Sequence, residues 1–237
     1  MKRILISGGN GVFAKKLQEY NNEYDLVMPT KKQMDVTDFD KMDRFTDIVK
    51  PDIFIHAGAL TRPMNIHEKN PDESIKNNII GTANVVLVCM KYNIKLIYIS
   101  TDFVYPGTNG NYCEESSIKP VNKYAWSKLG GECSVILYDN SLILRTAIVE
   151  KPYPHDKALV DMKKSLLLND DVVKIVFKLL DKKGIINLGG KADTVYNHIK
   201  KINPEIGKIS LNDIGDTNMP KDVTMNIDKL NRILERT

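Results

Sequence analysis

Short, unbroken apolar runs recur along this chain, and between them apolar residues return at every third or fourth position. Residues 4–7, 26–28, 53–56, 96–100 and 142–145 are runs of the first kind. Runs this short and continuous fit strands covered on both faces, as in a parallel sheet. Residues 12–20, 38–49, 74–91 and 123–137 follow the helical period, so each is predicted to lay an apolar stripe on a sheet. Strand and helix alternate, which predicts a doubly wound α/β fold with right-handed crossovers around a parallel sheet.

After Arg145 the rhythm loosens. Residues 151–156 are rich in proline and polar side chains and read as a loop. Residues 170–180 and 194–202 read as helices, 184–188 as a strand stopped by Gly189 and Gly190, and 228–235 as a terminal helix. The expected division is a core at 1–150 and a small lobe at 151–237 whose elements return to the core.

Composition adds mainly exclusions. With 237 residues, 42% of them apolar, the chain can bury one substantial core. The net charge of +4 comes from lysines scattered among acids, so no nucleic-acid partner is expected. Cys89, Cys113 and Cys133 lack metal-ligand spacing, and reduced thiols in a cytoplasmic protein without a bound metal are expected. The first apolar run is too short for a signal peptide or a span, so no membrane partner is expected.

Two clusters carry chemistry. Ser7-Gly8-Gly9-Asn10-Gly11-Val12-Phe13-Ala14 joins the first strand to the first helix. There Gly8 allows a tight turn, Gly11 lets a pyrophosphate approach the backbone at the helix N-terminus, and Ala14 keeps helix and strand close. Gly8, Asn10, Gly11, Val12 and Phe13 are therefore expected to hold a dinucleotide. Past the second strand stand Lys31 and Lys32, with no acid before Asp35. Cations suit a 2′-phosphate, so NADP(H) is favoured, with NAD(H) left open.

The second cluster is Thr101 at the end of the fourth strand, with Tyr124 and Lys128 four residues apart on the following helix. Four residues bring two side chains to one helical face. There an ammonium is expected to lower the phenol's pKa and make it an acid–base group, with Thr101 hydrogen-bonding the substrate oxygen.

These pieces, with His56-Ala57-Gly58-Ala59-x-Thr61, Asn78-x-x-Gly81-Thr82, Ser100-Thr101-Asp102-Phe103-Val104-Tyr105 and Leu144-Arg145-Thr146, resemble the extended short-chain dehydrogenase/reductases. The nearest branch is that of the dTDP-4-dehydrorhamnose reductases. The resemblance implies a Rossmann-like fold and a Thr101, Tyr124 and Lys128 triad that reduces a 4-keto nucleotide-sugar with NADPH. It places Asp35 and Val36 along the adenine, and Ala57, Gly58 and Ala59 beneath ribose and phosphates. Lys128 would also touch the nicotinamide ribose, and Asn78 would be structural or relay protons. Thr61, Asp102, Phe103 and Arg145 would line the substrate.

Relatives of this kind that dehydrate carry Glu at the position of Phe103, so dehydration is disfavoured. The stretch between Arg145 and Asp170 is shorter than the usual substrate region, which leaves Arg145, Lys151, His155 and Lys157 as the cations for a diphosphate. An NAD-dependent epimerase and a non-catalytic regulatory subunit like that of methionine adenosyltransferase remain alternatives. Pairing of copies through helices 74–91 and 123–137, common in such relatives, leaves a homodimer open.

Overall fold

The computed structural model describes residues 1–215 and 218–236. Its centre is a six-stranded sheet of β1 (Arg3–Ser7), β2 (Asp25–Val27), β3 (Ile53–His56), β4 (Lys95–Thr101), β5 (Ser141–Thr146) and β6 (Gly184–Leu188). The order is β6-β5-β4-β3-β1-β2, and every pairing is parallel. The α/β reading of the apolar rhythm therefore holds.

Alternation along each strand decides which face a residue serves, because successive side chains point to opposite sides. Ile4, Ile6, Ile55, Ile97, Leu142 and Leu144 meet Ala14 and Leu17 of α1 (Val12–Tyr20) in one core cluster. Their strand neighbours Leu5, Phe54, Leu96, Tyr98 and Ile143 meet Met42 of α2 (Phe39–Val49) and Val85, Val86 and Val88 of α3 (Gly81–Tyr92) in another. Val135, from α4 (Lys123–Val135), joins that second cluster. Val172, Val173 and Val176 of α5 (Asn169–Lys178) complete the first face beside α1.

Side chains set the helix starts. Asp38 accepts from the Lys41 amide at 3.0 Å and Asn122 from the Ala125 amide at 2.9 Å, each closing an open helix end. The single helix expected at 74–91 is divided: a π-helical turn, Ile75–Ile80, precedes α3. Buried Asn78 lies in that turn, its side chain tied to the Leu60 backbone and to Ser127 Oγ. A wide turn of this kind re-aims a side chain that a regular helix would place elsewhere.

Past β5 the chain adds two-residue and three-residue strand pairs. Ile148–Val149 pairs with Leu167–Leu168, Lys157–Leu159 with Gly207–Ile209, and Lys163–Lys164 with Asp193–Thr194. They enclose a third apolar cluster, including Phe103, Tyr105, Met162, Val195, Ile199 and Met225, at the carboxyl end of the sheet. Strand β6 lies parallel beside β5 in the main sheet. Among the described residues no helix is long and apolar enough to cross a membrane.

Candidate active site

A cleft of about 800 Å³ opens where β1, β3, β4 and β5 end, the place where open parallel sheets bind ligands. One end is the glycine turn. Gly8 has φ +76°, and a Cβ there would lie 2.8 Å from the Gly58 Cα. That position therefore demands glycine both for its backbone and for its space. The Gly11 amide donates to the Gly8 carbonyl at 2.8 Å. A Cβ on Gly11 would meet only that carbonyl within 4 Å, so the space beside the turn stays open. An open cradle of backbone amides at a helix N-terminus fits a pyrophosphate.

Buried hydrogen bonds hold the strand ends that carry this turn. Ser7 Oγ lies 2.7 Å from His56 Nδ1, His56 Nε2 lies 3.0 Å from Thr82 Oγ1, and the Gly58 amide donates to Ser7 Oγ. Burial pushes the His56 pKa down to about 3, with the Lys128 charge adding to the effect. An unfolded histidine takes its proton near pH 6.5. Stability from this site is thus complete above about pH 6.5 and lost as pH falls toward 3. Between pH 7 and 5, urea unfolding should show a loss of about 2 kcal/mol that His56→Gln lacks; equal losses would remove His56 as the cause.

Asn10, Val12, Phe13, Asp35, Val36, Ala57 and Ala59 line the same cleft. Lys31 lines it too, 3.7 Å from Asp35 and 3.4 Å from Asn77 Oδ1, whereas Lys32 is exposed outside the lining. Lys31→Glu should therefore weaken NADPH binding by about tenfold and NADH far less, with Lys32→Glu nearly silent. Titration of both cofactors checks this, and equal losses for the two would remove Lys31 from the 2′-phosphate.

At the other end, Thr101, Tyr124 and Lys128 reach the cleft together. The Tyr124 ring lies 5.1 Å from the ring of buried His67 and edge-on to Phe103. The expected lowering of the phenol's pKa is not what this environment produces. Burial pushes Tyr124 up to about 12, a hydrogen bond with Thr101 pulls it back, and the Asp102 charge pushes it further up. Lys128 Nζ instead donates to the Ile99 carbonyl at 2.8 Å and sits 4.2 Å above the Tyr98 ring. Burial brings Lys128 down to about 7, against the pull of Glu132. At neutral pH the phenol thus keeps its proton and can donate it.

Thr101 Oγ1 donates to Asp102 Oδ1 at 3.2 Å and accepts from the Phe103 amide. Asp102 is buried and paired at 3.0 Å with Lys164, whose ammonium also stands 4.2 Å over the Phe103 ring. Thr61, Asp102 and Phe103 line the cleft, together with Arg62, Glu150 and Lys164. Sequence reasoning missed these last three. Arg62 adjoins a motif residue and was within reach, but Lys164 is held at the site by tertiary pairings of 163–164 with 193–194 and with the segment at Asp222.

Arg145 does not line the cleft. Only 1% exposed, it is paired with buried Glu132 at 2.9 Å and donates to Tyr105 Oη and the Glu114 carbonyl. A fully buried guanidinium needs an acid partner, and here that partner lies inside the core. Lys151, His155 and Lys157 are exposed and do not line the cleft.

A family model described as the RmlD substrate binding domain matches residues 1–178. Methionine adenosyltransferase 2 subunit beta of Rattus norvegicus is 29% identical over 144 residues, 57% of this chain and 43% of that protein. dTDP-4-dehydrorhamnose reductase of Aggregatibacter actinomycetemcomitans is 28% identical over 181 residues, 74% of this chain and 60% of that protein. The match thus spans less than two thirds of either relative. The crystal structure of dTDP-4-dehydrorhamnose reductase from Bacillus anthracis in complex with NADP superposes with a TM-score of 0.87 at 26% identity, covering 98% of this chain and 92% of that one.

Proposed function

Because this chain belongs to the RmlD substrate-binding-domain family, we propose that it is an NADPH-dependent oxidoreductase that reduces the 4-keto group of a 6-deoxy nucleotide-sugar. The observation that carries this reading is the meeting of Thr101, Tyr124 and Lys128 in one cleft with the glycine turn. The open Gly8–Gly11 cradle and Lys31 fit the pyrophosphate and 2′-phosphate of NADP(H), and the nearby structure in complex with NADP supports that choice. When bound, the dinucleotide supplies the hydride. Tyr124 donates a proton to the ketone oxygen, which is why a phenol held protonated suits reduction. Thr101 fixes the phenol, and Lys128, held in the same cleft by the Ile99 carbonyl, stands where the resemblance sets it against the nicotinamide ribose.

Asp35 and Val36 lie along the adenine in this reading, and Ala57, Gly58 and Ala59 under the ribose and phosphates. Residues 1–150 carry the cofactor, and 151–237 supply the lobe over the sugar while α5 and β6 return to the core. Exposed Leu87 and Met90 on α3 and Trp126 on α4 support a homodimer through those helices, and a cytoplasmic location fits the free thiols.

The test is titration with NADPH and NADH, followed by absorbance loss with 4-keto nucleotide-sugars. NADPH preference with turnover supports the reductase. Tightly retained NAD moves the reading to the epimerase. Cofactor binding with no turnover moves it to a non-catalytic cofactor-binding subunit, a reading that the likeness to the rat methionine adenosyltransferase 2 subunit beta keeps open.

A further inference from the structure

The nucleotide-sugar reading needs a cation for the substrate's diphosphate, and none of the cations expected from the sequence lines the substrate end. Arg145 is buried against Glu132, and Lys151, His155 and Lys157 lie outside the cleft. Among the described residues four cations do line it. Lys31 stands at the adenine end beside Asp35. Lys128 is committed to the Ile99 carbonyl and the Tyr98 ring. Lys164 is held by buried Asp102 and the Phe103 ring.

The remaining cation is Arg62. Its side chain is 63% exposed and meets Glu150, 29% exposed, at 3.3 Å. Arg62 belongs to the segment that follows β3, and Glu150 to the segment that follows β5. The pair therefore joins two strand-end segments that both line the cleft. The Arg62 charge also pulls the pKa values of Tyr124 and Tyr153 down against the effect of burial.

An exposed ion pair costs little to open, and a guanidinium fork matches phosphate oxygens in pairs. We propose that Arg62 is the diphosphate-gripping residue and that Glu150 is its resting partner, displaced when the substrate arrives. This assignment rests on the nucleotide-sugar reading. It makes Glu150 a competitor of the ligand, so the two halves of one ion pair act on binding in opposite directions. A purely structural pair would act in one direction.

The experiment is isothermal titration of the NADPH-loaded protein with thymidine diphosphate and with uridine diphosphate, on wild type, Arg62→Met and Glu150→Gln. Arg62→Met should weaken diphosphate binding by about tenfold, and Glu150→Gln should strengthen it by about threefold. NADPH affinity should stay within about twofold in both variants, which also shows that both are folded. Shifts of the same sign, no shift, or a matching loss of NADPH affinity in Arg62→Met would overturn the assignment. Should wild type bind one diphosphate and Arg62→Met bind it equally well, this assignment fails alone. Should wild type bind neither, it falls together with the nucleotide-sugar reading.

Discussion

Tyr124→Phe should bind NADPH as wild type does and lose turnover by about 10² or more, the usual scale for removing a positioned acid. The substitution deletes one oxygen and leaves the ring that packs against His67 and Phe103. Fold and cleft should therefore persist, and the effect should fall on kcat with little change in KM. Single-turnover oxidation of bound NADPH with a 4-keto nucleotide-sugar is the direct readout. Burial has already pushed the phenol up to about 12, so wild-type turnover should show no loss of the acid anywhere below about pH 10. Full activity in the phenylalanine variant would place the proton donor elsewhere in the cleft.

The second large effect concerns stability. Arg145→Met should destabilise the protein by about 3–5 kcal/mol, the range found when one partner of a buried ion pair is removed. The guanidinium contacts Glu132 through Nε and Nη2, and Ser100 Oγ donates to the same carboxylate. Tyr105 Oη, which accepts from Arg145, donates in turn to Asn187 on β6. The network thus ties α4, β4, β5 and β6 together beneath Lys128. Deleting only the arginine strands a carboxylate in the core. Urea unfolding should show the loss, and the Glu132→Gln, Arg145→Met double variant should recover most of it. A double variant as unstable as the single one would mean that packing, rather than the stranded charge, dominates.

The candidate site was legible wherever its logic is local. Gly8 needs glycine because of its own φ and the neighbouring Gly58, and its place after a first strand announced that. Tyr124 and Lys128 share a helical face by spacing alone, and Thr101 ends a strand whose apolar run is plain. Arg145 misled for an equally clear reason. Its motif stands at a strand end, where a cation and a buried ion-pair partner look alike until the position of Glu132 is known.

Strand faces followed from alternation: Ile4, Ile6, Ile55 and Ile97 on one side, Leu5, Phe54, Leu96 and Tyr98 on the other. Period and turn chemistry are short-range properties, so the chain by itself determined the α/β sheet, the glycine turn and the Tyr–Lys pair. Tertiary structure alone decided the charges. Lys164 finds Asp102 across 62 positions and Arg62 finds Glu150 across 88. The burial that pushes Tyr124 up and Lys128 down depends on what covers them. Desolvation and ion pairing arise from neighbours distant in sequence, and no local pattern encodes them.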